Sequence, residues 1–114
     1  MKLIVAVVRP FKVPEIVDWA THQPNFPGVT VLESKGFGRT KVRPHVHQAG
    51  EDLTDFHDNR VLLVASPEAD YRAVLDGIAE IARTGVTGDG KVFVIDLLDA
   101  IRLATGAVGD AALT

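Results

Sequence analysis

Residues 2–9 form an unbroken apolar run rich in valine and isoleucine and closed by Pro10, the pattern of a strand buried on both faces (β1). Pro14 suits the first turn of a helix and Glu15 its positive end, while Ile16, Val17, Trp19 and Ala20 supply one apolar face. This predicts α1 over 13–22. Two prolines and Gly28 make 23–28 a loop, after which 29–37 is expected to be β2. The periodicity then fails over 38–59, where three of the four histidines, Pro44, Gly50 and several acids lie. An irregular stretch of that length inside a small domain is functional or disordered. The apolar run resumes over 60–65 as β3, so that β2 and β3 form a hairpin tipped by a long loop. Ser66 reads as an N-cap with Pro67 at the first helical position and Glu68 in the first turn. Tyr71, Val74, Leu75, Ile78, Ile81 and Ala82 follow at helical spacing, which predicts α2 over 67–83. Residues 91–97 are β4, and 101–106 are a short extended piece before a tail of small residues. The order βαββαβ is the ferredoxin-like α+β plan, an antiparallel sheet with both helices on one face, here in one domain over 1–114. Many functions use that plan, so function has to come from a site.

The stretch Thr84-Gly-Val-Thr-Gly-Asp-Gly-Lys91 is the first candidate. Its glycines permit positive φ and close approach to backbone amides, and its lysine places a charge suited to phosphate. A glycine-rich helix-to-strand turn with no ligand accounts for the same residues. Gly85-x4-Gly90-Lys91 is one residue short of a Walker A loop, because Val92 stands where a magnesium-ligating hydroxyl is needed and a strand rather than a helix follows. A P-loop NTPase, and catalysis generally, is therefore not expected. In the 38–59 loop, His45 and His47 share one face if the chain is extended there. With His57 or an acid they could bind zinc, copper or nickel, although a polar loop that docks a partner is the simpler reading.

Apolar residues are 46% and charged residues 24% of the chain, ordinary for a globular protein, and at 114 residues an oligomer would help to cover apolar surface. The net charge of −3 argues against a nucleic-acid partner. With no cysteine, disulfides and thiolate metal sites are excluded. The first apolar run is too short for a signal peptide, and none approaches the ~20 residues of a bilayer span, so the cytoplasm is the expected compartment.

Four segments together resemble the PII signal-transduction proteins: Val8-Arg-Pro-Phe-Lys12, Val31-Leu-Glu-Ser-Lys-Gly-Phe-Gly-Arg39, Arg83-Thr-Gly85 with Gly88-Asp-Gly-Lys-Val-Phe-Val94, and Ala100-Ile-Arg102 with Thr105-Gly106. They occur in order and in register over nearly the whole chain. The resemblance implies a homotrimer that binds adenine nucleotide in the clefts between subunits, answers to a small-molecule effector, and controls a target enzyme or membrane transporter. In its terms 38–59 is the T-loop, 84–91 the B-loop and 98–114 the C-terminal segment. It assigns Gly88, Asp89, Gly90 and Lys91 to nucleotide phosphate, Arg102 to the neighbour's side of the cleft, and Thr30, Gly36, Phe37, Gly38 and Arg39 to the adenosine and phosphate pocket.

Four positions depart from the family pattern, one of them at the base of the loop, where Asn59 followed by Arg60 stands in place of a lysine. Thr40 replaces a glutamine that helps members hold magnesium with ATP and 2-oxoglutarate, which counts against magnesium here. Ala104 replaces an arginine phosphate clamp, which favours ADP or AMP over ATP. Asp52 replaces the tyrosine that enteric-type members uridylylate. The alternative function is a metal-responsive module using His45, His47 and His57.

Overall fold

Burial alternates along the central strand and sets the layers of the molecule. The computed structural model describes residues 1–37 and 56–114. In β1 (Lys2–Val8), Ile4, Ala6 and Val8 are buried, while Leu3, Val5 and Val7 on the opposite face are half-buried. β2 (Thr30–Gly36), β3 (His57–Ser66) and β4 (Gly90–Asp96) complete a sheet of order β2-β3-β1-β4, with every neighbouring pair antiparallel. Ile4 stands opposite Val64 and Val94, and Ala6 opposite Leu62 and Val92. Directly opposed residues share a face, so these side chains form the floor on which the helices pack.

α1 (Val13–Thr21) connects β1 to β2 and α2 (Tyr71–Ala82) connects β3 to β4. Each joins two parallel strands that are separated by one antiparallel strand, a connection that needs a crossover helix. Ile16 and Ala20 from α1, and Val74, Ile78 and Ala82 from α2, fill the space above the floor. The two helices approach closely at Gly77, where an added Cβ would lie 2.0 Å from the Trp19 indole. The ferredoxin-like α+β reading is thus observed, with an antiparallel sheet carrying both helices.

Several boundaries differ from the expectation, each for a physical reason. β1 is fully buried on one face only. Its other face belongs to an open, apolar sheet surface on which Leu32, Phe93 and Ile95 are 47%, 50% and 51% exposed. α2 starts at Tyr71 rather than Pro67, because the ladder with β1 continues to Ser66, which pairs with Lys2. Ser66 is therefore the last residue of β3, and its hydroxyl donates to the Pro67 carbonyl instead of capping a helix. The Pro67 carbonyl also accepts from the amides of Asp70 (3.0 Å) and Tyr71 (3.1 Å), making a turn ahead of the helix. β3 starts at His57, so 57–59 of the expected loop are strand, paired with Gly36, Lys35 and Ser34. An ion pair between Lys35 and Asp58 and one between Glu33 and Arg60 (3.9 Å) tie these polar ends together. The C-terminal segment is a hairpin rather than a tail. Ile101 bridges Val108, Arg102 donates to the Ala107 carbonyl at 2.8 Å and Gly109 to the Ala100 carbonyl at 2.9 Å. A short turn (Gly109–Ala112) then leads to Leu113, which is buried.

Candidate functional site

Behind α2 the chain folds around one carboxylate. Asp89 Oδ2 accepts hydrogen bonds from the amides of Thr84 (2.7 Å) and Gly85 (2.8 Å), and Oδ1 accepts from the Thr84 hydroxyl and from Arg9 Nε (3.1 Å). The Asp89 amide donates to the Val86 carbonyl at 3.3 Å. Arg9 reaches the loop a second time, its Nη2 donating to the Thr87 carbonyl at 3.0 Å. The Thr84 hydroxyl and amide, then Arg9 and the Gly85 amide, hold the Asp89 carboxyl far below the ordinary carboxylate value of 3.8. It is ionised at any pH near neutrality.

The loop can turn this way only with glycine at its exit. Gly90 has φ +104°, and a Cβ there would lie 1.8 Å from the Val7 carbonyl oxygen. Gly88, at φ +106°, lies against the Arg9 guanidinium, 3.0 Å from where its Cβ would be. Among the described residues the amides of Thr87 and Gly88 donate to nothing, and neither Lys91 nor Arg83 makes an ion pair. Arg9 offsets the charge of Asp89, so two uncommitted cations and two open amides leave this corner receptive to an anion.

A groove of about 390 Å³ opens beside the loop, with Val7, Leu75, Ala82, Arg83, Lys91 and Val92 among its walls. A second hollow of about 270 Å³ runs from Thr87 and Gly88 past Arg9 and Phe11 to His57 and Asp58. Strand register explains this proximity. Val8 stands opposite both Gly90 and Arg60, and Gly36 opposite His57, so the 84–91 loop and both strand ends that flank the 38–55 segment share one end of the sheet.

Of the residues expected in the site, Gly88, Asp89, Gly90 and Lys91 are contiguous in this loop. Gly36 ends β2, where a Cβ would lie 2.2 Å from Asn59 Nδ2, and the Phe37 ring packs on Phe56 with centroids 4.9 Å apart. Thr30 is exposed at the start of β2, opposite Leu63. Arg102 lies in the C-terminal hairpin, where Nη2 donates to the Thr114 carbonyl at 3.0 Å rather than to the loop. Gly38, Arg39, Thr40, His45, His47 and Asp52 lie outside the described residues. Among the described residues no three His, Asp or Glu side chains converge as a metal site, and no helix is long and apolar enough to cross a membrane. Reasoning from the sequence missed Arg9 as a support of the loop and, although it placed Thr84 in the loop, missed the bonds of Thr84 to Asp89. The signal for Thr84 was its position five residues before an aspartate, a hydroxyl within reach of the carboxylate.

A model of the family described as Nitrogen regulatory protein P-II matches residues 1–107. The chain is 37% identical over 109 residues to the nitrogen regulatory protein P-II of Rhizobium meliloti (strain 1021), covering 96% of each chain. It is 36% identical over 113 residues to nitrogen regulatory protein P-II 1 of Escherichia coli (strain K12), covering 99% of this chain and all of the other. Among solved structures, Arabidopsis thaliana PII bound to citrate superposes with a TM-score of 0.78 at 28% identity, over 98% of this chain and 88% of that one. With the sheet order, the loop and these full-length matches in agreement, the chain belongs to the nitrogen regulatory protein P-II family and is a signal-transduction regulator, not an enzyme.

Proposed function

We propose that this protein is a homotrimeric, cytoplasmic regulator that binds adenine nucleotide in its intersubunit clefts and controls a target enzyme or membrane transporter through the segment between β2 and β3. The observation that carries this reading is the shared end of the sheet. An anion-receptive loop sits one strand away from the base of the longest connection in the chain. An anion held by the Gly88 and Gly90 backbone and by Lys91 would bear on that base directly. Thr30, Gly36 and Phe37, with Gly38 and Arg39 outside the described residues, are assigned to the adenosine and phosphate pocket, while Arg102 of a neighbouring copy closes the cleft. Population shift supplies the logic, because a nucleotide that binds one loop arrangement better than another selects it.

With Ala104 in place of a second arginine, ADP or AMP is favoured over ATP, and with Thr40 in place of glutamine no magnesium is called for. Titration calorimetry with AMP, ADP and ATP tests the reading. ADP is expected to bind at least as tightly as ATP, and absence of binding by all three at millimolar concentration would sink it. Lys91→Ala is expected to weaken ADP binding roughly 30-fold, the loss of one charge-assisted contact worth about 2 kcal/mol. Its melting temperature should hardly change, because the side chain is exposed and unpaired among the described residues. An unaltered ADP affinity in that variant would remove Lys91 from the site.

The open sheet face supports the assembly. Leu32, Phe93 and Ile95, with the half-buried Leu3, Val5 and Val7, make one continuous apolar surface that a single chain leaves in water. Patches of this kind mark interaction sites.

A further inference from the structure

The nucleotide reading leaves Arg9 without a role, yet Arg9 is the side chain through which β1 grips the phosphate loop. It follows the last residue of β1, and its carbonyl accepts the Lys12 amide at 3.1 Å, which anchors its backbone in the turn at Pro10–Lys12. From there Nε holds Asp89 Oδ1 and Nη2 holds the Thr87 carbonyl. Thr84 closes the other side of the same carboxylate with its hydroxyl and its amide. Four donors thus occupy the two oxygens of Asp89, which leaves the carboxylate without an open direction for a metal or a ligand. A bare carboxylate here would repel phosphate, and the Arg9 guanidinium cancels that charge at 3.1 Å.

We infer that Arg9, Thr84 and Asp89 form a latch of positioning residues. The latch fixes the Thr87 and Gly88 amides and Lys91 in the geometry that receives a nucleotide's phosphates, and none of its three side chains touches the nucleotide. This inference rests on the nucleotide reading given above. It recasts Asp89 from a phosphate contact into a support, and it makes the end of β1 part of the site although nothing in its sequence suggests phosphate.

Two readouts on the full-length protein test the latch: ADP affinity by calorimetry, and hydrogen exchange of the Gly85 amide in the nucleotide-free state. Thr84→Val and Arg9→Met are each expected to weaken ADP binding roughly tenfold and to speed Gly85 exchange by a similar factor. Thr84→Ser, which restores the hydroxyl, is expected to recover most of what Thr84→Val loses in both. A purely steric role for the loop would not produce that rescue. Thermal melting checks the fold of each variant. Should Arg9→Met not fold, the Thr84 pair decides alone, since Thr84 is exposed. Wild-type affinity in Thr84→Val, or unchanged Gly85 exchange, overturns the latch while leaving nucleotide binding intact. Failure of the wild-type protein itself to bind ADP overturns the nucleotide reading and the latch's role in it together, so the two failures are told apart.

Discussion

Gly90→Ala is expected to destabilise the protein by roughly 3 kcal/mol and to abolish nucleotide binding. The cost has two sources that act together. At φ +104° a residue with a Cβ is strained wherever it stands, and this Cβ would also sit 1.8 Å from the Val7 carbonyl oxygen and 2.8 Å from its carbon. The contact is backbone against backbone, so no rotamer change relieves it. Val7 cannot retreat either, because β1 is held on both sides, with Val8 opposite Arg60 on one strand and Gly90 on the other. The loop must therefore lift away, which peels the first residues of β4 from β1 and carries Lys91 off the open face. Urea unfolding and ADP titration on the same sample check both halves. A variant with native stability, or one that is destabilised yet binds ADP normally, would contradict the account.

What the sequence reveals about this chain depends on whether an element answers to its neighbours in sequence or to distant ones. β1, α1, β2 and β4 were readable within a residue or two because their apolar runs and periodic faces are set by one buried layer. Ser66-Pro67-Glu68 carries every local mark of a helix start, yet the pairing of Ser66 with Lys2 keeps it in strand, a tertiary contact that outweighs propensity. His57, Asp58 and Asn59 look like loop by composition and join β3 because β2 offers them partners, Lys35 for Asp58 among them. The continuous apolar run of β1 suggested burial on both faces, and within one chain only one face is covered.

The site divides along the same line. Glycines and a lysine before a strand announced a phosphate-type loop. That Asp89 faces its own loop rests on Thr84 and Gly85, a local signal, and on Arg9, 80 residues earlier in the chain, which no local pattern could disclose. The hairpin at the C-terminus was missed although Gly106 and Gly109, both with positive φ, bracket its turn and its exit.

Phe93→Asp is expected to convert the protein from trimer to folded monomer, read by sedimentation or light scattering, and this result bears on the site as much as on the assembly. Phe93 projects from β4 on the face away from the helices and is half exposed in the single chain, so the substitution leaves the helix-covered core around Ile4, Leu62 and Ile78 untouched. Far-UV circular dichroism should therefore stay native. If the copies meet on the open sheet face as proposed, the same position is buried in the trimer, and each chain would bring one unpaired carboxylate into an apolar interface, at a cost of several kcal/mol per charge. Arg102 determines the consequence for the ligand. Within one chain its guanidinium is directed to the Thr114 carbonyl and makes no bond to the 84–91 loop. If a neighbouring copy supplies it to the cleft, dissociation must weaken ADP binding even though every residue of the loop is intact. A monomeric Phe93→Asp protein that bound ADP as tightly as the wild type would place the whole site within one chain and remove Arg102 from it. A Phe93→Asp protein that stayed trimeric would show that the open sheet face is not where the copies meet.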